Sequence, residues 1–204
     1  MAEVAKKENA WSMIKLGLVL CAYAVVACAM LAVVNNFTAP KIAQNQERKV
    51  SQAMAEFFPD SGLTFETVND FTPPVVGAIT VDELYVAKKD GKIVGGAAQV
   101  SGPTYDQGTI LVGIKTDGIV TGLKFLKLTD SPGFGLKAND ATFKLPNGKT
   151  FYGQFEGKNA AAGFKAGENF DAISGATITS VAISSLINEG TKNLLAYFDM
   201  KGAK

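Results

Sequence analysis

Two short stretches hold the residues best suited to chemistry, and both are rich in glycine and hydroxyl side chains. The first is Asp171-Ala172-Ile173-Ser174-Gly175-Ala176-Thr177-Ile178-Thr179-Ser180, which opens a C-terminal segment of helical periodicity. Small hydroxyl residues at a helix start commonly act as N-caps. The same position also suits a phosphate, because first-turn N–H groups and the positive helix end favour an anion by about 0.3–1 kcal/mol. The second stretch is Thr129-Asp130-Ser131-Pro132-Gly133-Phe134-Gly135, directly after a strand-like run. Pro132 and two glycines turn the backbone tightly there, leaving N–H groups and one aromatic ring to meet a flat ligand. An ordinary turn reads the same way.

Composition removes most competing chemistries. The chain of 204 residues has no histidine, which excludes a Ser-His-Asp triad, a His-ligated zinc site and a His-ligated haem. Thr177 therefore has no histidine base to activate it as an ordinary nucleophile. The two cysteines, Cys21 and Cys28, lie seven apart in an apolar run, where they read as small packing residues on one helix face. Twenty Lys and Arg balance nineteen Asp and Glu, so no nucleic-acid partner is expected.

The elements that must position these stretches follow from periodicity. Glu83 to Val100 and Thr109 to Leu128 each break at an Asp-Gly pair, Asp90-Gly91 and Asp117-Gly118, between β-rich runs, the strongest short-range hairpin signal. Two consecutive hairpins make an antiparallel sheet. Thr179 to Phe198 places Ile183, Leu186, Ile187, Leu194, Leu195 and Phe198 along one stripe of an amphipathic helix. Sheet and flanking helices give an α+β domain. Residues 59 to 82, with Pro59, Gly62, Pro73, Pro74 and Gly77, read as a loop with short extended pieces.

Ahead of this domain, Leu16 to Val34 is uncharged and free of proline over nineteen residues, close to the roughly 20 that cross a bilayer as a helix. Val25-Val26-Ala27-Cys28 resembles a lipobox, but the apolar run continues well past it, which favours a retained helix. Lys6, Lys7 and Lys15 before the run balance Lys41, Arg48 and Lys49 after it, so charge does not orient it. A second helix is expected from Lys41 to Phe58, starting behind Pro40 and stopping before Pro59. The expected layout is a tail over 1–15, a transmembrane helix over 16–37, a juxtamembrane helix and linker over 38–75, and one domain over 76–204.

The two motifs, in this order behind one apolar helix, resemble the FMN-binding domain family of membrane redox complexes. Its mark is S/T-G-A-T, whose last threonine carries FMN through a phosphoester, and Ser174-Gly175-Ala176-Thr177 matches it, with Asp171 upstream and Thr179-Ser180 downstream. Asp130-Ser131-Pro132-Gly133-Phe134-Gly135 looks like the family's E-T-P-G-L-G loop with three conservative changes. Many relatives carry a histidine shortly before that loop; Lys127-Leu128-Thr129 has none, so no role for it is carried over. The likeness spans roughly Gly77 to Ser185.

This resemblance implies covalent FMN on Thr177, with Ser174, Gly175, Ala176, Ile178 and Thr179 around its phosphate. It places Asp130, Ser131, Pro132, Gly133, Phe134 and Gly135 against the ring, and Lys137 or Lys165 within reach of an anionic flavin. It further implies an electron-relay protein without turnover of its own, nearer the G subunit of Rnf ferredoxin:NAD+ oxidoreductase complexes than the C subunit of sodium-translocating NADH:quinone reductases. Other membrane subunits, a flavin transferase and membrane lipid are the implied partners, with the domain on the extracytoplasmic side of the cell membrane. A membrane-anchored binding or assembly module without covalent flavin, and a lipoprotein holding its ligand noncovalently, are the alternatives.

Overall fold

The computed structural model describes the backbone of residues 2–203 and the side chains of residues 11–203. Lys6 and Lys7, part of the charge count, lie outside the described side chains. The chain divides into two units, residues 1–48 and 49–204.

The first unit is helical throughout its described length and belongs to α1 (Ala2–Phe57). Every described side chain up to Lys49 is exposed, and this helix is long and apolar enough to cross a membrane. Cys21 and Cys28 are free, exposed thiols on it. The expected break at Pro40 is corrected: α1 runs through Pro40, so the juxtamembrane helix is no separate element. A proline removes one N–H bond and crowds one carbonyl, here that of Asn36. That carbonyl lies in an exposed stretch and the helix-forming run Lys41 to Arg48 follows, so the helix continues. Nearby, the Thr38 hydroxyl donates to the Val34 carbonyl at 2.9 Å.

The second unit is built on a five-stranded antiparallel meander, β1 (Leu63–Thr67), β2 (Thr80–Lys89), β3 (Lys92–Gly102), β4 (Gly108–Lys115) and β5 (Val120–Leu128), ordered as in sequence. β2–β3 and β4–β5 are the two hairpins expected at the Asp-Gly pairs. β1 is the short extended piece inside the proline-rich stretch. It belongs to this unit, together with the end of α1, although the sequence pattern assigns both to juxtamembrane helix and linker.

Alternation along the strands gives the sheet two apolar faces. On one, Val86, Ala98, Val100, Ile110, Val112 and Ile114 meet Ile183, Leu186, Ile187, Leu194 and Phe198 of α2 (Thr177–Met200), all buried. On the other, Ala87, Ala97 and Leu111 are covered by Val50, Ala53, Met54, Phe57 and Phe58, the last turns of α1 and the residue after it. Gly113 and Gly122, cross-strand partners, form a socket there. A Cβ at either would stand 2.6 or 2.3 Å from the Phe57 ring.

Between β5 and α2 the chain forms two short 3-10 turns, Gly135–Asn139 and Tyr152–Gln154, and otherwise irregular backbone. A cluster of buried phenylalanines holds this segment: Phe155 meets Phe151 and Phe164 edge-on at centroid distances of 5.5 and 5.0 Å. Such pairs add about 0.5–1.5 kcal/mol beyond the area they bury.

Candidate functional site

The ends of β3 and β5, the start of β4 and the N-terminus of α2 meet at one end of the sheet, and both motifs lie there. A cavity of about 570 Å³ opens between them, lined by Tyr105, Ser131, Pro132, Phe134, Gly135, Gly175, Ala176, Thr177, Ile178 and Thr179. Two stretches separated by some forty residues in sequence thus form opposite walls of one cavity. Its apolar surface is unusually open to solvent: Tyr105 is 67% exposed, Phe134 58% and Ile178 64%. An aromatic-walled recess of this size falls in the range of about 300–1,000 Å³ typical of small-molecule sites.

Thr177 is the first residue of α2 and is exposed. The N-cap residue is Ala176, and no side chain caps the helix there. The hydroxyls of this motif therefore do not serve as the expected cap, and the first-turn residues Thr177, Ile178 and Thr179, whose N–H groups have no intrahelical acceptor, belong to the cavity lining. Gly175 precedes them at φ +78°, and a Cβ there would stand 3.5 Å from the Phe134 ring.

Asp130 does not present its carboxylate to the cavity; it ties the walls together. It is 2% exposed, and Oδ1 accepts from the Thr104 hydroxyl at 2.5 Å and the Asp106 N–H at 3.0 Å. Oδ2 accepts from the Thr179 hydroxyl at 2.5 Å and the Tyr105 N–H at 3.3 Å. Burial pushes this carboxyl up, but the hydroxyls of Thr104 and Thr179 and the N–H groups of Asp106 and Tyr105 outweigh it and hold Asp130 below its ordinary 3.8. Gly135 makes the arrangement possible: a Cβ there would stand 2.5 Å from Oδ2 of Asp130 and 2.7 Å from Oγ1 of Thr179.

The segment leading into α2 is fastened as firmly. Gln154, 1% exposed, accepts the Asp171 N–H at 2.8 Å and donates its amide to the Asp171 carbonyl at 3.1 Å. The Asp171 carboxylate accepts from the Asn147 amide at 2.8 Å. Ser180, fully buried, accepts the Ile173 N–H and donates to the Ala176 carbonyl, both at 2.9 Å.

Of the residues singled out from sequence, Ser131, Pro132, Phe134, Gly135, Gly175, Ala176, Thr177, Ile178 and Thr179 line the cavity. Ser174 and Gly133 are exposed in the turns beside it. Lys137 and Lys165 are not in its lining: the Lys137 ammonium sits 5.2 Å from the Phe143 ring centroid, and Lys165 pairs with Glu168 at 3.7 Å. Tyr105, Thr104 and Gln154 carry no signal in the sequence. Tyr105 sits in the β3–β4 connection, whose Gly102-Pro103 start marks a turn but nothing more. A larger cavity of about 820 Å³ lies beside β1 and the end of α2, but there Lys88 pairs with Glu66 and Lys201 with Asp70, and neither motif reaches it.

Known proteins resemble this chain over most of its length. The profile of the RnfG N-terminal region matches residues 1–57, and that of the FMN-binding domain matches residues 104–192, which brackets both walls of the cavity. The G subunit of the Na(+)-translocating ferredoxin:NAD(+) oxidoreductase complex of Acetobacterium woodii is 32% identical, covering 90% of this chain and 92% of that protein. The G subunit of the ion-translocating oxidoreductase complex of Pseudomonas aeruginosa is 30% identical over 92% of this chain and 89% of the relative. Its counterpart in Shewanella baltica is 29% identical over 94% and 92%. With an apolar N-terminal helix, an α+β FMN-binding domain and near-complete coverage of these relatives, the chain belongs to the family of G subunits of Rnf-type ion-translocating oxidoreductase complexes.

Proposed function

We propose that this chain is the electron-relay component of a membrane-bound ion-translocating ferredoxin:NAD+ oxidoreductase complex, carrying FMN through a phosphoester bond to Thr177. The observation that carries the reading is the exposed Thr177 hydroxyl at an uncapped helix N-terminus, inside a cavity walled by Phe134 and Tyr105. These residues fit a flavin nucleotide at both ends. First-turn N–H groups and the positive helix end suit a phosphodiester, which keeps one negative charge. Half-exposed aromatic faces and the Pro132 to Gly135 backbone suit a flat ring. Bound FMN would supply one-electron exchange; the chain's own residues fix its place and its surroundings.

No histidine is available to activate Thr177, and in this reading a separate flavin transferase, as the family resemblance implies, makes the attachment. In that step the Thr177 Oγ forms a bond to the FMN-side phosphorus of FAD. The pyrophosphate P–O bond breaks, AMP leaves, and the hydroxyl proton is lost to solvent. A covalent bond holds the group on an extracytoplasmic domain, where a dissociated flavin would not be replaced. The apolar helix α1 keeps the domain beside the other membrane subunits. The chain has no turnover of its own in this reading.

Mass spectrometry of protein made with a flavin transferase tests it. The chain should gain one FMN less one water, mapped to the peptide containing Thr177, and fluoresce in a denaturing gel. Thr177→Ala and Thr177→Val should abolish both signals, and Thr177→Ser should retain part. A flavin on another residue, or none, refutes the reading.

A further inference from the structure

We infer that Gln154 and Asp130 are positioning residues for Thr177, fixing from either side the backbone that presents its hydroxyl. The inference rests on the covalent reading above and adds to it two residues that touch neither the hydroxyl nor, by their burial, the cavity. Gln154 holds Asp171, six residues before Thr177, and uses both atoms of its amide on the N–H and carbonyl of that one residue, as a neighbouring strand would. Asp130 holds Thr179, two residues after Thr177, and anchors the Tyr105 loop with its remaining bonds. Between them the buried Ser180 hydroxyl closes the turn from Ile173 to Ala176.

From Ile173 to Ser180 the residues that make these bonds are buried, while Asp171, held through its backbone, is exposed. Ile173, Ala176, Thr179 and Ser180 are buried; Ser174, Gly175, Thr177 and Ile178 are exposed. A turn with three glycine or alanine positions and no strand partner has many conformations available when untied. Transfer of a phosphoryl group to Thr177 needs its oxygen within a narrow range of distance and direction, and misplacement by about 1 Å costs on the order of a hundredfold in rate. Buried, fully bonded side chains supply that precision because their own rotamers are locked. Gln154 is itself buried and directly precedes Phe155, whose ring packs edge-on against Phe151. That gives the irregular segment between β5 and α2 a purpose beyond connection.

The test uses the full chain, produced with a flavin transferase, and compares the rate at which fluorescent flavin accumulates per folded protein with the melting temperature of each variant. Gln154→Leu removes both bonds to Asp171 at similar volume. Gln154→Glu keeps the oxygen that accepts the Asp171 N–H. Asp130→Asn turns one of the two carboxylate oxygens into an amide donor, which then faces either Thr104 and the Asp106 N–H or Thr179 and the Tyr105 N–H. Met54→Ala, buried on the opposite face of the sheet, is the destabilised control. Loading should slow about tenfold or more in Gln154→Leu and Asp130→Asn, less in Gln154→Glu, and not in Met54→Ala at an equal loss of melting temperature. Loading within about twofold of wild type in the Gln154 and Asp130 variants, or slowed equally in Met54→Ala, overturns the inference. Should Gln154→Leu not fold, Gln154→Glu and Asp130→Asn decide by the same criterion. A wild-type chain without fluorescent flavin overturns the covalent reading and the inference with it, whereas a loaded wild type with equally loaded variants overturns only the inference.

Discussion

Replacing Gly133 with valine separates a loop that turns the chain from a loop that touches a ligand. Gly133 has φ +77° and a Cβ built there would meet nothing within 4 Å, so the substitution adds strain without a clash. The left-handed conformation costs a residue with a side chain about 1–2 kcal/mol, more for a β-branched one. For a domain of this size each kcal/mol lowers the melting temperature by roughly 2–4 °C, so a loss of about 2–8 °C is expected. Gly157 is a matched control: φ +78° and again nothing within 4 Å, but with no lining residue beside it, whereas Gly133 sits between the lining residues Pro132 and Phe134. Gly95 would be a poor one, since its Cβ would stand 2.5 Å from the Phe58 ring and 2.7 Å from the Ile114 carbonyl. Gly133→Val and Gly157→Val should therefore melt alike. Only Gly133→Val should alter the absorbance or the extent of loading of the flavin, because its side chain stands between Pro132 and Phe134. Equal melting with equal flavin spectra and loading in the two variants would refute the assignment of the Ser131 to Gly135 loop to the cofactor.

Three further outcomes are expected. The carboxyl of Asp130 is held below its ordinary 3.8 in the folded state, so its contribution to stability is present above that value and is lost as pH falls through the lower folded value. The melting-temperature gap between wild type and Asp130→Asn should be constant near neutral pH and close in acid. Phe57→Ala empties the socket over Gly113 and Gly122 and should cost about 3–5 kcal/mol in urea titration, with loading per folded molecule unchanged. A reporter fused after Lys204 that is active only outside the cytoplasm should work; activity of a cytoplasm-only reporter would reverse the proposed orientation.

Much of this molecule is legible in local sequence because local physics determines it. Asp90-Gly91 and Asp117-Gly118 set the hairpins, and the α2 stripe emerges with its start two residues earlier than its periodicity indicates. β1 is harder to see: after Leu63 its side chains are exposed, so it has no apolar alternation to betray it. Pro40 misleads because one lost hydrogen bond in an exposed stretch does not outweigh the helix-forming run from Lys41 to Arg48 that follows it. The motifs at Asp130 and Ser174 can be found, yet their ties cannot. Thr104 reaches Asp130 across 26 residues, and Gln154 reaches Asp171 across 17. A buried polar residue satisfied by a distant partner looks, in sequence, like any surface threonine or glutamine. Asp130 itself is read as a wall of the cavity, while its carboxylate is spent on the residues behind that wall.

The seating of α1's final turns in the sheet decides how a water-soluble fragment must be cut. Removal of the apolar helix up to Arg48 leaves Val50, Met54, Phe57 and Phe58 in place over Ala87, Ala97 and Leu111. A cut at the end of the helix, after Phe58, would instead uncover that whole face along with the groove at Gly113 and Gly122. A contiguous apolar sheet surface of that kind invites association between molecules. Fragments beginning near Lys49 should stay monomeric where shorter ones precipitate, although the shorter ones keep every residue lining the cavity at the start of α2.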